Sequence, residues 1–248
     1  MRCRDQRTEY LATGDELLTG LLPEIEAMTE LLVEGELLRV APDRMINAGY
    51  SGRDRQAVQD HVDELVAEGI PEPDSVPGTY QVAPYTLLVA PDEVQVAGPN
   101  TSGEAEFGLV ITGDETYVVA ASDHTDRALE TEGIQKAKQI APNVVSRRAW
   151  RYDDVRDHWD EITLRSWNTV DGERRLYQET TLAEILPPES LLEAVTDRYG
   201  GPVAGTVVLS GTVATVSGDI TPGTRFEVEL ADPELDRSLD LAYDVRTI

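Results

Sequence analysis

Two runs in the middle of the chain, AEFGLVI at residues 105–111 and YVVAA at 117–121, are apolar almost without a break. Apolar runs this short fit strands buried on both faces. Gly113-Asp114 lies between them and is a two-residue hairpin signal. With that turn Thr112 faces Glu115, and counting back along both strands sets Asp123 opposite Glu104. Further strands are predicted near 44–50, 80–82, 85–89 and 94–96, and 140–145 and 147–152 read as connecting or strand segments. Alternation over 162–168 turns at Asp171-Gly172 and returns over 174–179, and later strands follow at 205–209, 226–230 and 239–245. Helical spacing marks 54–68, where Asp54 or Ser51 caps, Val58, Val62, Leu65 and Val66 form the apolar stripe, and Gly69 stops the helix. It also marks a helix reaching about Lys138, another over 189–199, and one or two helices over 15–34 interrupted by Pro23. The pattern predicts a β-rich α+β domain over 39–248 behind a helical appendage at 1–38.

Charge narrows the setting. The 248 residues carry 47 acidic against 21 basic side chains, a formal net charge of −26, and the acid is spread along the whole chain. Only two of the basic residues, Lys136 and Lys138, are lysine. An acidic, lysine-poor surface suits molar salt, where repulsion is screened within a few ångströms. The expectation is a haloarchaeal-type protein of a high-salt cytoplasm. The same charge speaks against nucleic acid and anionic membranes as partners. A single cysteine, Cys3, excludes an internal disulfide and a thiolate metal framework.

Candidate chemistry gathers at the hairpin. Glu104 and Glu106 are two apart and project from one face of a strand, and the register brings Asp123 beside them. Three carboxylates that close either hold a cation, keep protons, or form a solvated acidic strand end. All-oxygen ligands favour Mg²⁺, Mn²⁺ or Ca²⁺. On the 54–68 helix His61 and Glu64 stand three apart, as an oriented general base or as an exposed ion pair. Lys138 follows Asp123 by one short helix, and a lysine kept in an arginine-rich chain suits a compact ammonium in a tight pocket. Gly211-Thr212 ends a strand in small and hydroxyl groups that can hold an oxyanion. His158 sits among acids beside Trp159 and reads as a packing or surface residue.

Taken in order, these pieces resemble the fumarylacetoacetate hydrolase superfamily, and within it a branch described as a domain of unknown function. GEAEF at 103–107 is similar to its GExEL strand, SDHTDRALE at 122–130 to its NDxxARDxQ segment, and SGTV at 210–213 to its TGTP strand end. Lys138 before Pro142 and the closing strands also match, and Tyr50 with His61 and Glu64 resembles its lid helix. The resemblance implies a mixed β-roll or β-sandwich with peripheral helices, with Mg²⁺ or Mn²⁺ on Glu104, Glu106 and Asp123, and a homodimer is expected. It further implies His61 and Glu64 as the proton-moving pair, Lys138 and Arg127 as groups that polarise or bind substrate, and Thr212 with Gly211 as the carboxylate holder. The implied activity is metal-dependent C–C hydrolysis of a 2-oxo acid or 1,3-dicarbonyl such as an acylpyruvate. The alternatives are a decarboxylase, dehydratase or isomerase working through the same metal-stabilised enolate, or a catalytically inactive metal- and ligand-binding protein. Four features depart from the family. The hairpin is joined directly, Glu130 stands where the family has glutamine, Asp126 stands where it has alanine, and residues 1–38 have no counterpart.

Overall fold

The computed structural model describes residues 28–67, 69–113, 115–200 and 203–248. Its strands in chain order are β1 (Thr29–Val33), β2 (Glu36–Val40), β3 (Arg44–Gly49), β4 (Gly78–Val82), β5 (Leu87–Val89), β6 (Glu93–Val96), β7 (Thr101–Ser102), β8 (Ala105–Thr112) and β9 (Glu115–Asp123). They continue as β10 (Thr125–Asp126), β11 (Asn143–Val145), β12 (Arg148–Arg151), β13 (Thr163–Val170), β14 (Glu173–Thr181), β15 (Thr206–Leu209), β16 (Arg225–Asp232) and β17 (Arg237–Thr247). The helices are α1 (Arg55–Ala67), α2 (Ile134–Ile140), α3 (Tyr152–Val155) and α4 (Pro188–Tyr199).

Ten strands make one sheet, ordered β2-β1-β12-β9-β8-β15-β3-β4, with β11 joining β9 to β5. A second sheet of five runs β14-β13-β16-β17-β6. Between them lies the larger core, where Phe107, Leu109, Val118 and Ala120 meet Phe226, Val228, Leu241 and Tyr243. The opposite face of the large sheet has its own core of Leu31, Met45, Val110, Tyr117, Val119, Val207 and Leu209. This explains the unbroken apolar runs, because β8 and β9 are covered on both sides. Strand parity then assigns every polar side chain near their ends to a face. Glu106 shares parity with Val110, and Asp123 with Val119 and Ala121, so both lie on the side away from the second sheet. Ser122 shares parity with Val118 and Ala120 and looks toward it.

The predicted hairpin register holds. Thr112 pairs with Glu115, Ala105 pairs with Ser122, and the Asp123 amide donates to the Glu104 carbonyl at 3.2 Å. Asp171 and Gly172 both have positive φ, 53° and 79°, as a type I′ turn between β13 and β14 requires. Asp54 caps α1, accepting the Gln56 and Ala57 amides on Oδ1 at 2.9 and 3.1 Å.

One expectation is corrected. The helical reading of 15–34 fails for its last residues, because Thr29–Val33 is a strand that pairs in parallel with β12 and antiparallel with β2. A boundary at residue 38 therefore cuts through β2, which belongs to the large sheet. The Leu31, Leu32 and Val33 run suits either period, and the open edge of β12 decides between them. The rest of the proposed appendage, residues 1–27, lies outside the described residues. No helix among the described residues is long and apolar enough to cross a membrane.

Candidate metal centre

The site lies at the end of the large sheet where β8 begins and β9 stops. Parity places Glu104, Glu106 and Asp123 on one face, and one oxygen from each lies within 4.8 Å of the other two. Glu106 and Asp123 are fully buried. Glu106 accepts the Gly211 amide on Oε2 at 2.8 Å, while Glu106 Oε1 and Asp123 Oδ1 have no hydrogen-bond partner among the described residues. Two buried carboxylate oxygens left unpartnered are costly unless a cation or a proton completes them. The donor set is all oxygen and fits a hard divalent ion.

Two cations are already built in. Lys138 stands on α2, buried, with Nζ on Asp123 Oδ2 and 3.2 Å from Glu104 Oε2. Lys136, two residues earlier, is exposed, so only the second lysine of the pair serves the site. Arg127 follows β10 and gives Nη1 to Glu104 Oε1 at 2.9 Å and to Glu130 Oε1 at 3.0 Å, with Nε on Ser102 Oγ at 2.8 Å. Burial opposes ionisation of Glu104, but Lys138 and Arg127 together hold its carboxyl at about 2. Glu106 has no such partner; burial, then the Asp123 charge, push it well above the usual carboxylate range. Burial also raises Asp123 despite Lys138. Burial would lower the ammonium of Lys138, yet the charges of Asp123, Glu104 and Glu106 raise it above its ordinary value.

Gly211 has φ +80°, and a Cβ there would press on Ser51 Oγ and come within 3.2 Å of the Ala48 carbonyl. Glycine is what lets this backbone deliver its amide to Glu106. Thr212 Oγ donates to the Ala105 carbonyl at 2.7 Å and accepts from Gln178 Nε2 at 2.7 Å, so its one proton is committed to β8. His61 and Glu64 stand on the outer face of α1, 60% and 78% exposed, with Nδ1 and Oε2 3.9 Å apart. The His61 ring is 6.4 Å from that of Tyr50, which follows β3 with φ +53°. The predicted set thus divides. Glu104, Glu106, Asp123, Lys138, Arg127 and Gly211 come together, while Thr212 braces the strand and the His61–Glu64 pair faces solvent. Asp126 accepts the Ala128 and Leu129 amides at 2.9 and 3.2 Å and so shapes the turn carrying Arg127. His158 is buried with Nε2 3.0 Å from Asp232, apart from this cluster.

Several polar residues here were not expected from sequence. Asn47 on β3 is fully buried and donates to Asn143 Oδ1, and Asn143, opposite Asp123 in register, donates to Thr86 Oγ at 2.9 Å. Gln178 uses both ends of its amide, accepting from the Ala105 amide at 3.0 Å and Ser166 Oγ at 2.9 Å while donating to Thr212 and the Val213 carbonyl. Nothing local marks these amides, and Gln178 stands on a polar strand, ERRLYQETT.

Behind Asp123, Tyr243 Oη lies 2.8 Å from Ser122 Oγ and 3.0 Å from His124 Nδ1, and His124 Nε2 is 3.0 Å from Thr101 Oγ. Burial, then the Arg127 charge, hold the His124 ring down at about 4 from its ordinary 6.5. An unfolded chain takes up that proton as pH falls below 6.5, and the folded chain only near 4. Stability is therefore lost across this window, by about 3 kcal/mol in total. His124→Gln is expected to lose less stability than the wild type between pH 7 and 4.5 in urea titrations; equal losses would mean that the ring titrates freely.

The family model described as "Protein of unknown function (DUF2848)" matches residues 48–243, which include Tyr50 and every residue of the cluster. The chain belongs to the DUF2848 family. Its fold is shared with solved enzymes of low identity. Fumarylpyruvate hydrolase from Pseudomonas aeruginosa, in complex with Mn²⁺ and pyruvate, superposes with a TM-score of 0.62 at 17% identity, over 92% of this chain and 98% of that one. 2-Keto-3-deoxy-D-arabinonate dehydratase, complexed with magnesium and 2,5-dioxopentanoate, gives 0.60 at 13% identity, over 100% and 84%. These likenesses establish the β-rich α+β fold of this DUF2848 protein. A stretch of 105 residues is 30% identical to toxin coregulated pilus biosynthesis protein I of Vibrio cholerae. It spans 42% of this chain and only 15% of that protein.

Proposed function

We propose that this DUF2848 protein is a divalent-metal-dependent enzyme acting on a 2-oxo acid or 1,3-dicarbonyl, with C–C bond hydrolysis as the leading reaction. One observation carries the reading: Glu106 Oε1 and Asp123 Oδ1 are buried and unpartnered beside Glu104, in a fold whose solved relatives include metal complexes with oxo compounds. Glu104, Glu106 and Asp123 would hold Mg²⁺, Mn²⁺ or Ca²⁺. Bound there, such an ion supplies Lewis-acid polarisation of a chelated carbonyl. Lys138 Nζ fixes the facing oxygens of Glu104 and Asp123, and Arg127 orients Glu104 from the other side. Arg127 Nη2 has no partner among the described residues and is the N–H left to orient a substrate carboxylate. His61 and Glu64 would move the proton, Glu64 facing Nδ1 so that Nε2 takes it from water at the Tyr50 edge of the site.

The exposure of His61 and Glu64 favours a second reading, a protein that binds metal and oxo acid without hydrolysing it. One experiment separates the two. The full chain in high KCl is titrated with Mn²⁺, with and without pyruvate, following thermal stability, and then assayed with acylpyruvates, oxaloacetate and 2-keto-3-deoxy sugar acids. Mn²⁺-dependent stabilisation with turnover supports the enzyme, and stabilisation without turnover on any of them supports the binding protein. Failure of Mn²⁺, Mg²⁺ and Ca²⁺ alike to stabilise the chain overturns both.

A further inference from the structure

Resting on the metal-dependent reading, we infer that Glu130 sets the charge of the substrate: the site takes an oxo acid with one carboxylate and a neutral hydrogen-bond donor at its other end, and rejects dicarboxylates. Glu130 is brought to the cluster by Arg127. The two carboxylates on Arg127 Nη1, Glu104 at 2.9 Å and Glu130 at 3.0 Å, are two hydrogen-bond lengths apart through a single nitrogen. Glu130 is 19% exposed, and its second oxygen has no hydrogen-bond partner among the described residues. Burial, then the Glu130 charge, raise the Tyr50 phenol.

Counting charge gives the consequence. Four carboxylates, Glu104, Glu106, Asp123 and Glu130, face two cations, Arg127 and Lys138. One divalent ion brings this set to neutrality and leaves no surplus positive charge. Lys138 Nζ is shared between Asp123 and Glu104, while Arg127 has Nη1 and Nε occupied, so Nη2 serves one carboxylate and nothing remains for a second. A second substrate carboxylate would meet Glu130 with only partial screening, which is unfavourable by kcal/mol amounts at such separations. An ionised carboxylate only accepts hydrogen bonds, so its free oxygen suits a hydroxyl or another neutral donor.

The test uses the full chain loaded with Mn²⁺ at pH 8 in a fixed KCl concentration. Calorimetry compares 5-hydroxy-2-oxopentanoate with 2-oxoglutarate, which have the same chain length and differ in the terminal group. The wild type is expected to prefer the hydroxylated acid. Glu130→Gln, which keeps an oxygen for Arg127, is expected to move the ratio of dissociation constants toward 2-oxoglutarate by ~10-fold or more, as removal of one poorly screened like charge implies. Glu132→Gln, an exposed acid on the same turn, should leave the ratio unchanged. A wild type that binds 2-oxoglutarate as tightly, or a ratio unmoved by Glu130→Gln, overturns the assignment while leaving the metal site intact. A wild type that binds no Mn²⁺ overturns the underlying metal reading instead.

Discussion

Glu106→Gln is expected to abolish metal-dependent stabilisation while leaving the fold in place. Glutamine has the shape of glutamate and keeps an oxygen for the Gly211 amide, which Glu106 accepts at 2.8 Å. What it removes is the charge on the unpartnered Oε1. Loss of one carboxylate from a three-carboxylate set is expected to weaken binding by at least ~100-fold, beyond what loss of a supporting residue costs. With the ion at a hundred times its wild-type dissociation constant, the wild type gains about 2.7 kcal/mol and the variant about 0.4 kcal/mol. Without metal the order changes. Burial and the Asp123 charge raise the Glu106 carboxyl, so the folded chain holds a proton there that the unfolded chain has released. The wild type therefore loses stability as pH climbs from the ordinary carboxylate range through the raised value, and the glutamine variant escapes that loss. Thermal melts across pH, with chelator and with Mn²⁺, check both halves. A variant that gains as much stability from Mn²⁺ as the wild type would remove Glu106 from the ligand set.

Lys138→Met should produce the largest loss in the metal-free protein. The ammonium is buried between Asp123 and Glu104, and methionine fills its stem but leaves both oxygens uncompensated. Breaking a buried pair in this way costs about 3–5 kcal/mol, or on the order of 10 °C in melting temperature for a chain of this size. A divalent ion restores the missing positive charge, so the melting temperature of the variant should rise more with Mn²⁺ than that of the wild type. Lys136→Met, at an exposed position, serves as the control and should change little. Equal responses of Lys138→Met and the wild type to Mn²⁺ would show that Lys138 does not neutralise the cluster.

The site was legible where it depended on local geometry. The two-residue step from Glu104 to Glu106 and the short turn after Thr112 determine a register in which Asp123 returns beside Glu104, because side chains alternate and a tight turn allows no slip. The capped helix at Arg55–Ala67 and the turn at Asp171-Gly172 follow in the same way from nearby residues. Composition singled out two lysines and the motif before Pro142 pointed to Lys138, which is buried while Lys136 is exposed.

What lay beyond the sequence depended on partners far along the chain. Residues 29–33 are apolar enough for helix or strand, and only the free edge of β12, more than a hundred positions later, makes them β1. Asn47, Gln178 and Tyr243 carry no local mark of a site, and their roles exist only where β3, β14 and β17 pack behind the cluster. Thr212 looked free to hold a ligand until packing committed its proton to Ala105, and α1 formed as predicted while facing His61 and Glu64 outward. Sequence determines which side chains share a strand face, because that follows from a period of two. Which carboxylate oxygens are satisfied, and by which cation, is decided by contacts between distant segments, which only the tertiary structure creates.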